Sequence, residues 1–266
     1  MSKPLVSIVI ATLNRSQDLL ATLQNIAKQD YAHTEVIVIN DGSTDDTAQV
    51  LAGLQGITLI TNPQRLGLQK SLNVGCRAAK GKYIARIDDH DIWTDPTKLS
   101  KQIAKLEDDD RIGLIGTAFT IGQRTFINPL TDKDIRRQML FRCPFSHVTV
   151  VFRKALFEFV GGYDEALTYS EDWDLWLRMG LQSQLLNLAD VTTNVRESEA
   201  GSLTDTFYVS QWHLNQSILR KYREAYPRRH LAGWYQAFVG LFFRVVKKDS
   251  AIHRYFTKIY TWVFAR

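Results

Sequence analysis

The chain has 266 residues, 45% of them apolar and 23% charged, which is sufficient for a substantial core and excludes an intrinsically disordered protein. Its two cysteines, Cys76 and Cys143, lack metal-ligand spacing and indicate unpaired thiols in a reducing compartment. The formal charge of +5 is unevenly distributed, because residues 207–266 carry eleven Lys and Arg against two Asp and Glu, whereas acidic groups outnumber basic ones before them.

The first 120 residues alternate short apolar runs with amphipathic segments, a pattern typical of a parallel sheet covered by helices. The predicted strands are 6–11, 35–40, 57–61 and 82–87, and the predicted helices are about 16–28, a helix capped by Ser43 or Thr44, and 68–80. Polar side chains follow three strands, at Thr12 to Asn14, Asp41 and Asp88 to Asp91. Because parallel strands end at one edge of a sheet, we expect a ligand site there.

Beyond residue 120 the pattern is less regular. It predicts a strand over 148–152, a turn at Gly161 to Asp164 and a short helix over 171–179. Three helical segments are predicted from Phe207 onward, where fifteen of the 29 aromatic residues lie.

The residues Asp88-Asp89-His90-Asp91 are a candidate metal site. Carboxylates this close repel one another, and a divalent cation removes the repulsion while accepting oxygen and imidazole ligands. Taken alone, the segment equally fits a solvated acidic turn. Asp41 likewise fits two roles, as an acceptor for a base N–H or ribose hydroxyl, or as an Asx turn or helix cap.

Glu171 and Asp172 lie beside Trp173 in a second acidic group. One of them can serve as a general base next to a sugar-stacking wall, and crowding by Glu171 and Asp174 is expected to raise a carboxyl pKa. The alternative is charge complementarity at a helix N-terminus, with the tryptophans in the core.

Four weaker candidates also have two interpretations. His147 contacts a ligand or is a satisfied, partly buried histidine. Gly161 and Gly162 permit close approach of a substrate or only make a turn. Arg196 binds a diphosphate or is a surface arginine.

Six stretches resemble glycosyltransferase family 2, the inverting enzymes with the GT-A fold, in the family's order and spacing. They are residues 6–15, 38–45, 67–75, 79–91, 160–164 and 171–178. The resemblance implies an α/β GT-A fold, Rossmann-like, with a mostly parallel central sheet flanked by helices and a helical C-terminal extension. It implies a catalytic domain over 1–206, with a nucleotide-sugar half to about 120 and an acceptor half over 121–206, before the basic, aromatic region 207–266.

The resemblance also implies a role for each candidate. The residues expected around the nucleotide are Thr12, Asn14, Arg15, Asp41, Lys70, Asp88, Asp89 and Arg196. Those expected to hold Mn²⁺ or Mg²⁺ are Asp88, His90 and Asp91. Asp172 is the expected catalytic base with Glu171 beside it, and the expected acceptor contacts are His147, Gly161, Gly162 and Trp173.

The implied reaction moves a sugar from a nucleotide-sugar donor, UDP-linked in the family's commonest class, to a hydroxyl of a glycan or lipid-linked glycan. Two departures bear on it. The family's metal motif usually reads Asp-x-Asp-Asp, and His90 replaces its second Asp, although imidazole can ligate Mn²⁺. The histidine that commonly follows the Arg196 region is absent.

Two other classes compete with this interpretation. One is a catalytically impaired relative that binds nucleotide-sugar as a scaffold, which the departure at His90 favours. The other is a sugar nucleotidyltransferase, for which Thr12 to Arg15 lacks the required Gly-rich loop.

The tail has its own two interpretations. Trp234, Phe238 and Leu241 begin an apolar face at helical spacing with basic residues around it, which fits an interfacial helix on an anionic membrane leaflet. The alternative is a helical bundle that packs on the core or forms a homodimer. Without a signal-peptide pattern, and with an apolar stretch at 231–243 too short to span a bilayer, a cytoplasmic protein is expected, peripheral at the membrane if the first interpretation holds. No nucleic-acid partner is expected.

Overall fold

The structure is a computed structural model that describes residues 3–196, 217–227, 230, 231, 233 and 234. The apolar and basic face predicted beyond Trp234 lies outside these residues, as do the positions that directly follow Arg196.

The N-terminal half of the sheet is parallel, as predicted. Its strands are β1 (Val6–Thr12), β2 (Thr34–Asn40), β3 (Ile57–Thr61) and β4 (Tyr83–Arg86), in the order β3-β2-β1-β4. The helices between them are α1 (Ser16–Ile26), α2 (Thr47–Ala52) and α3 (Leu68–Ala78). Every residue of β1 is buried, which explains its uninterrupted apolar run.

The second half joins the sheet with mixed directions. Its strands are β5 (Ile92–Trp93), β6 (Ile112–Ile121), β7 (Arg124–Phe126), β8 (Val151–Arg153) and β9 (Gln184–Val195). Its helices are α4 (Lys98–Asp108), α5 (Asp132–Gln138), α6 (Lys154–Phe159) and α7 (Glu171–Gln182). β8 runs antiparallel to β4 and β6, and β9 runs parallel to β6. The parallel arrangement is therefore continuous only in the first half.

Two apolar clusters cover the two faces of the sheet. Alternate residues of β1 feed them, Val9 into the cluster under α3 and α7 and Ile10 into the cluster under α1 and α4. Because strand side chains alternate between faces, β1 packs into both apolar clusters. The carboxyl end of β1 is therefore held in place from both faces of the sheet.

Two local predictions are wrong. α2 begins at Thr47, and neither Ser43 nor Thr44 caps it, because both bond the loop after β1 instead. Residues His147–Thr149 form a 3-10 turn rather than the start of a strand, since the Thr149 amide and hydroxyl both donate to the Ser146 carbonyl.

The tail segment 217–227 packs on the core, whereas Leu231 and Trp234 are exposed. Residues 217–222 are helical, and Ile218, Leu219, Tyr222 and Tyr226 are buried in the cluster that includes α7. A boundary at residue 206 stays a prediction, as does a separate role for the rest of the tail. Within the described residues, none of the helices combines the length and the apolar character needed to span a bilayer.

Candidate active site

The loops after β1 and β2 are bound to each other at the carboxyl edge of the sheet. Asn14 has left-handed backbone geometry, with φ of 55°. Its amide N–H donates to Ser43 Oγ over 3.0 Å, and its side-chain oxygen accepts from the Thr44 amide over 2.8 Å. The two loops thus form one rim. Ser43 and Thr44 bind the loop after β1 in this rim, a role that their position near the start of a helix did not indicate.

Asp41 is a buried anchor in this rim. Its carboxylate accepts from the Leu66 and Gly67 amides over 2.8 and 2.9 Å, from Asn62 over 2.9 Å and from Ser71 over 2.8 Å. Burial alone would raise the pKa of Asp41, but these hydrogen bonds outweigh it and lower the pKa. The ionised carboxylate fixes the segment that leads into α3, where Lys70 is exposed.

Asp88 is paired with an arginine from its own strand. The Arg86 side chain is fully buried and donates to Asp88 Oδ1 and to the carbonyls of Val9 and Ile87, while Asp88 remains 31% exposed. Burial would raise the pKa of Asp88, but the Arg86 charge overcomes it and the pKa is lowered. Asp88 is therefore held as an anion whose side chain remains partly exposed.

Asp89 faces the loop after β1 and is 5% exposed. It accepts from Thr12 Oγ1 over 2.8 Å and from Arg15 over 3.1 Å, and it lies 3.0 Å from His90 Nδ1. Arg15 also lies 2.8 Å from that His90 nitrogen. The hydrogen bond to Asp89 raises the pKa of His90. Thr12, Arg15 and Asp89, three of the residues expected around the nucleotide, are thus brought together with His90, an expected metal ligand, and both roles stay predictions.

Asp88, His90 and Asp91 line one cavity of about 500 Å³. Its remaining wall is formed by Ile121, Ser146, His147, Val148, Val195 and Arg196. Asp91 is 1% exposed, and burial followed by the Asp88 charge raises its pKa to about 6. An ionised carboxylate beside a second carboxyl group whose ionisation it opposes is a favourable environment for a cation.

Three side chains of this cavity match the donor types of a divalent cation. The described residues contain no preformed group of three or more metal-ligating side chains. Within that part of the chain, however, Asp88 Oδ2, His90 Nε2 and Asp91 Oδ2 make no hydrogen bond. The set fits a cation that takes part of its coordination from a bound phosphate.

Glu171 and Asp172 are the first two residues of α7, and both interact electrostatically with Asp88. Asp172 Oδ1 accepts from the Trp173 amide over 2.7 Å, and Cys143 Sγ lies 3.9 Å from Asp172 Oδ2. Burial raises the pKa of both carboxyls, and the Asp88 charge raises them further. Gln69 hydrogen bonds to Glu171. Sequence reasoning missed Gln69 and Cys143, because only the fold brings α3 and residue 143 to α7.

Asp174 does not crowd this pair, which corrects that expectation. It points to the opposite face of α7, where Arg178, Lys221 and Tyr222 bind it, and its pKa is lowered because these partners outweigh burial. Trp173 is 4% exposed, and its indole N–H donates to the Met139 carbonyl over 2.7 Å. The structure therefore places Trp173 in the core and not on an open sugar-stacking surface.

His147 links the cavity to the loop that precedes α7. Its Nε2 lies 2.7 Å from the Tyr163 hydroxyl, and burial lowers its pKa to about 3, so the imidazole is neutral. Asn73 of α3 binds the Tyr163 backbone on both its amide and its carbonyl. Gly162 has a φ of 76°, and a Cβ there would lie 2.6 Å from Asn73 Oδ1, so this close approach requires glycine. Gly161 has open space around its Cβ position.

Arg196, which directly follows β9, lies at the edge of the cavity. Its amide N–H donates to Asp91 Oδ1 over 2.9 Å, and its guanidinium donates to Asp18 of α1 over 2.6 Å. The ion pair is exposed on both sides, with 57% and 40% of the two side chains accessible. An anion in the cavity can therefore compete for Arg196 at modest cost.

The chain belongs to a family of glycosyltransferases, as its motifs predicted. The sequence model described as Glycosyl transferase family 2 matches residues 7–160, more than half of the chain, and Glycosyltransferase like family 2 matches residues 121–262. The chain is a member of glycosyl transferase family 2, and this also confirms the predicted class of enzyme.

Curated relatives are bacterial glycosyltransferases. An uncharacterized glycosyltransferase of Haemophilus influenzae is 32% identical over 73% of the chain, which spans 65% of that relative, just under two thirds of its length. The amylovoran biosynthesis glycosyltransferase AmsE of Erwinia amylovora is 31% identical over 71% of the chain and 75% of its own length. The Escherichia coli UDP-Glc:alpha-D-GlcNAc-diphosphoundecaprenol beta-1,3-glucosyltransferase WfgD is 25% identical over 84% and 83%.

Solved structures confirm the GT-A fold. Staphylococcus aureus TarS 1-349 in complex with UDP-GlcNAc superposes with a TM-score of 0.69 at 18% identity, covering 92% of the chain and 74% of that structure. The mannosyltransferase PcManGT of Pyrobaculum calidifontis in complex with GDP-Man and Mn²⁺ gives 0.67 at 17% identity, covering 98% and 81%. At these identities the likeness establishes the fold alone.

Proposed function

We propose that the chain is an inverting glycosyltransferase that moves a sugar from a nucleotide-sugar donor to a hydroxyl of a glycan or lipid-linked glycan. The observation that carries this proposal is the contrast between two carboxyl groups that interact electrostatically. Asp88 is held ionised by Arg86, whereas Asp172 has a raised pKa and lies within electrostatic reach of Asp88. Carboxyls whose environments push their pKa values apart are a mark of divided catalytic roles.

The donor half of the proposed site is the rim and the acidic cluster, defined as Asp88 to Asp91. Thr12, Asn14, Arg15 and Asp41 surround the nucleotide, with Lys70 and Arg196 as cations at either side. Asp88, His90 and Asp91 would hold Mn²⁺ or Mg²⁺, which when bound neutralises charge on the departing diphosphate. A UDP-sugar donor is supported by the UDP-GlcNAc complex of TarS, and Mn²⁺ by the complex of PcManGT.

Asp172 is the proposed general base. It takes the proton of the acceptor hydroxyl while that oxygen bonds to the anomeric carbon, and the bond from that carbon to the diphosphate oxygen breaks on the opposite side. The displacement therefore inverts the anomeric configuration. Asp172 is chosen over Glu171 because it matches the position of the catalytic base in the family that the motifs resemble. The Trp173 amide also donates to its carboxylate and favours its ionised form.

The acceptor is proposed to be a polysaccharide intermediate, free or lipid-linked. The names of AmsE and WfgD, one from amylovoran biosynthesis and one acting on a diphosphoundecaprenol acceptor, support this class. His147, Gly161 and Gly162 are the proposed acceptor contacts. A peripheral position on an anionic membrane surface through 207–266 is supported by the charge surplus of the tail, whereas a homodimer through the same region would rest on its aromatic residues.

A second candidate function is a nucleotide-sugar-binding scaffold with impaired catalysis. It is favoured by His90, which replaces a carboxylate and whose Nδ1 lies within hydrogen-bond distance of both Arg15 and Asp89. Release of nucleoside diphosphate from a panel of nucleotide-sugars, with Mn²⁺ or Mg²⁺ and with a chelator, distinguishes the two. The enzyme releases diphosphate from at least one donor when an acceptor glycan is present, whereas a scaffold binds a donor and releases none.

A further inference from the structure

The helix α7 carries two aspartates, Asp172 and Asp174, whose side chains extend from it in nearly opposite directions. Asp172 and Asp174 are two residues apart, which corresponds to about 200° around a helix of 3.6 residues per turn. Asp172 lies next to Cys143, whereas Asp174 is 1% exposed and faces the described tail segment. The first turn of α7 is therefore held from both sides.

Asp174 is bound by the tail as well as by its own helix. The Tyr222 hydroxyl donates to Asp174 Oδ1 over 2.7 Å, and Lys221 Nζ donates to the same oxygen over 3.1 Å. On α7 itself, Arg178 Nε donates to Asp174 Oδ2 over 2.8 Å. Both oxygens of this buried carboxylate are thus satisfied, one of them only by residues from beyond position 217.

Further along α7, a second tail tyrosine makes a contact of a different kind. The Tyr226 hydroxyl donates to the Leu177 carbonyl over 2.7 Å. This approach requires glycine at position 180, since a Cβ there would lie 2.5 Å from the Tyr226 oxygen. Tyr226 holds the middle of the helix, whereas Tyr222 holds its first turn.

We propose that Tyr222 and Lys221 are positioning residues for the base, acting through Asp174 to fix the turn that carries Asp172. The inference rests on the proposed role of Asp172. It gives the segment 217–226 a part in turnover that neither the family motifs nor the acidic cluster assigns to it.

The physical reason is the cost of a buried, partly unsatisfied carboxylate. Without the Tyr222 hydroxyl, Asp174 Oδ1 retains only Lys221, whose side chain is 51% exposed. A buried charge that loses a donor moves toward water when it can. For Asp174 this requires rotation or fraying of the first turn, which displaces Asp172 on the other side. A misplacement of about 1 Å at a reacting group costs up to roughly a hundredfold in rate.

The test compares Tyr222→Phe with Tyr226→Phe in the full chain. Each variant loses one hydroxyl that bonds α7 and keeps its ring in the same apolar cluster. For Tyr222→Phe we expect kcat to fall about tenfold with little change in the donor KM, because the donor is bound by other elements. For Tyr226→Phe we expect a similar loss of thermal stability but a kcat within about twofold of the parent. Lys221→Met is the second variant at the first turn, with a smaller loss in the same direction.

Hydrogen exchange gives a readout that does not depend on activity. The amides of 171–176 should exchange about tenfold faster in Tyr222→Phe than in Tyr226→Phe. Equal exchange and equal kcat losses in the two tyrosine variants would overturn the inference and leave both as packing residues. Asp172→Asn is measured alongside: if it retains turnover, the proposed base is refuted, while the exchange comparison still decides whether the tail fixes the first turn.

Discussion

Asp88 in the acidic cluster and Asp172 at the start of α7 are the same residue type in opposite electrostatic settings. In the cluster, Asp88 has a buried guanidinium as its partner and Asp89 has Arg15. At the start of α7, Asp172 has a backbone amide and a thiol, and burial raises its pKa. A carboxylate kept ionised is suited to attract a cation or to order a charged ligand, whereas one with a raised pKa is suited to accept a proton.

The largest expected effect comes from removing the proton acceptor. Asp172→Asn keeps the size of the side chain and its hydrogen bond from the Trp173 amide, but it cannot take the acceptor proton. We expect kcat to fall by at least about a hundredfold, measured as nucleoside diphosphate release with a saturating acceptor. The matched control is Asp190→Asn, which removes one carboxylate charge from an exposed ion pair with Lys101. Activity of Asp172→Asn near that of the parent would refute its role as the base.

The pH dependence tests the same contrast without a mutation. Because burial raises the pKa of Asp172, its carboxylate becomes protonated at a higher pH than an ordinary aspartate, which titrates near 3.9. As the pH falls through this raised pKa, kcat should decline by about tenfold per unit. The profile is measured with saturating donor and Mn²⁺, because Asp91, a proposed metal ligand, also has a pKa raised to about 6, and its protonation would weaken donor binding over the same interval. A flat profile of kcat down to pH 4.5, roughly where an unperturbed aspartate begins to titrate, would contradict the account.

A smaller effect is expected from restoring the usual carboxylate in the acidic cluster. His90→Asp replaces an imidazole by an oxygen donor, which Mg²⁺ prefers more strongly than Mn²⁺ does. We expect the ratio of Mg²⁺- to Mn²⁺-supported activity to rise several-fold, about threefold to tenfold. Direct Mn²⁺ binding, measured by electron paramagnetic resonance, provides a second readout. An unchanged metal preference by both measurements would remove His90 from the ligand set.

The sequence was sufficient to predict the parts of the site that follow strands. Apolar runs located β1, β2 and β4, and their ends located Thr12, Asp41 and Asp88 on one edge. Family motifs then predicted the GT-A fold and the family, both of which are confirmed. These predictions succeed because strand periodicity and the polar residue after it are local properties.

Features that depend on contacts between distant segments could not be predicted in this way. Asn62 and Ser71 bind Asp41, and Gln69 approaches Glu171, only once α3 packs on the sheet. The tail contact with Asp174 joins residues 48 positions apart. Periodicity could not predict the 3-10 turn at His147 either, because the turn is closed by the carbonyl of Ser146, two residues before the apolar run.

Donor affinity measured by calorimetry for Asp172→Asn and Asp88→Asn, each with Mn²⁺ and the donor selected by the panel, tests the division of roles most directly. A residue that acts only on the acceptor proton leaves donor binding intact, whereas a residue of the acidic cluster contributes to it. We expect Asp172→Asn to bind the donor within about twofold of the parent and Asp88→Asn to bind it at least about tenfold more weakly. Equal affinities in the two variants, or a larger loss in Asp172→Asn, would contradict the assignment of the two carboxylates to different tasks.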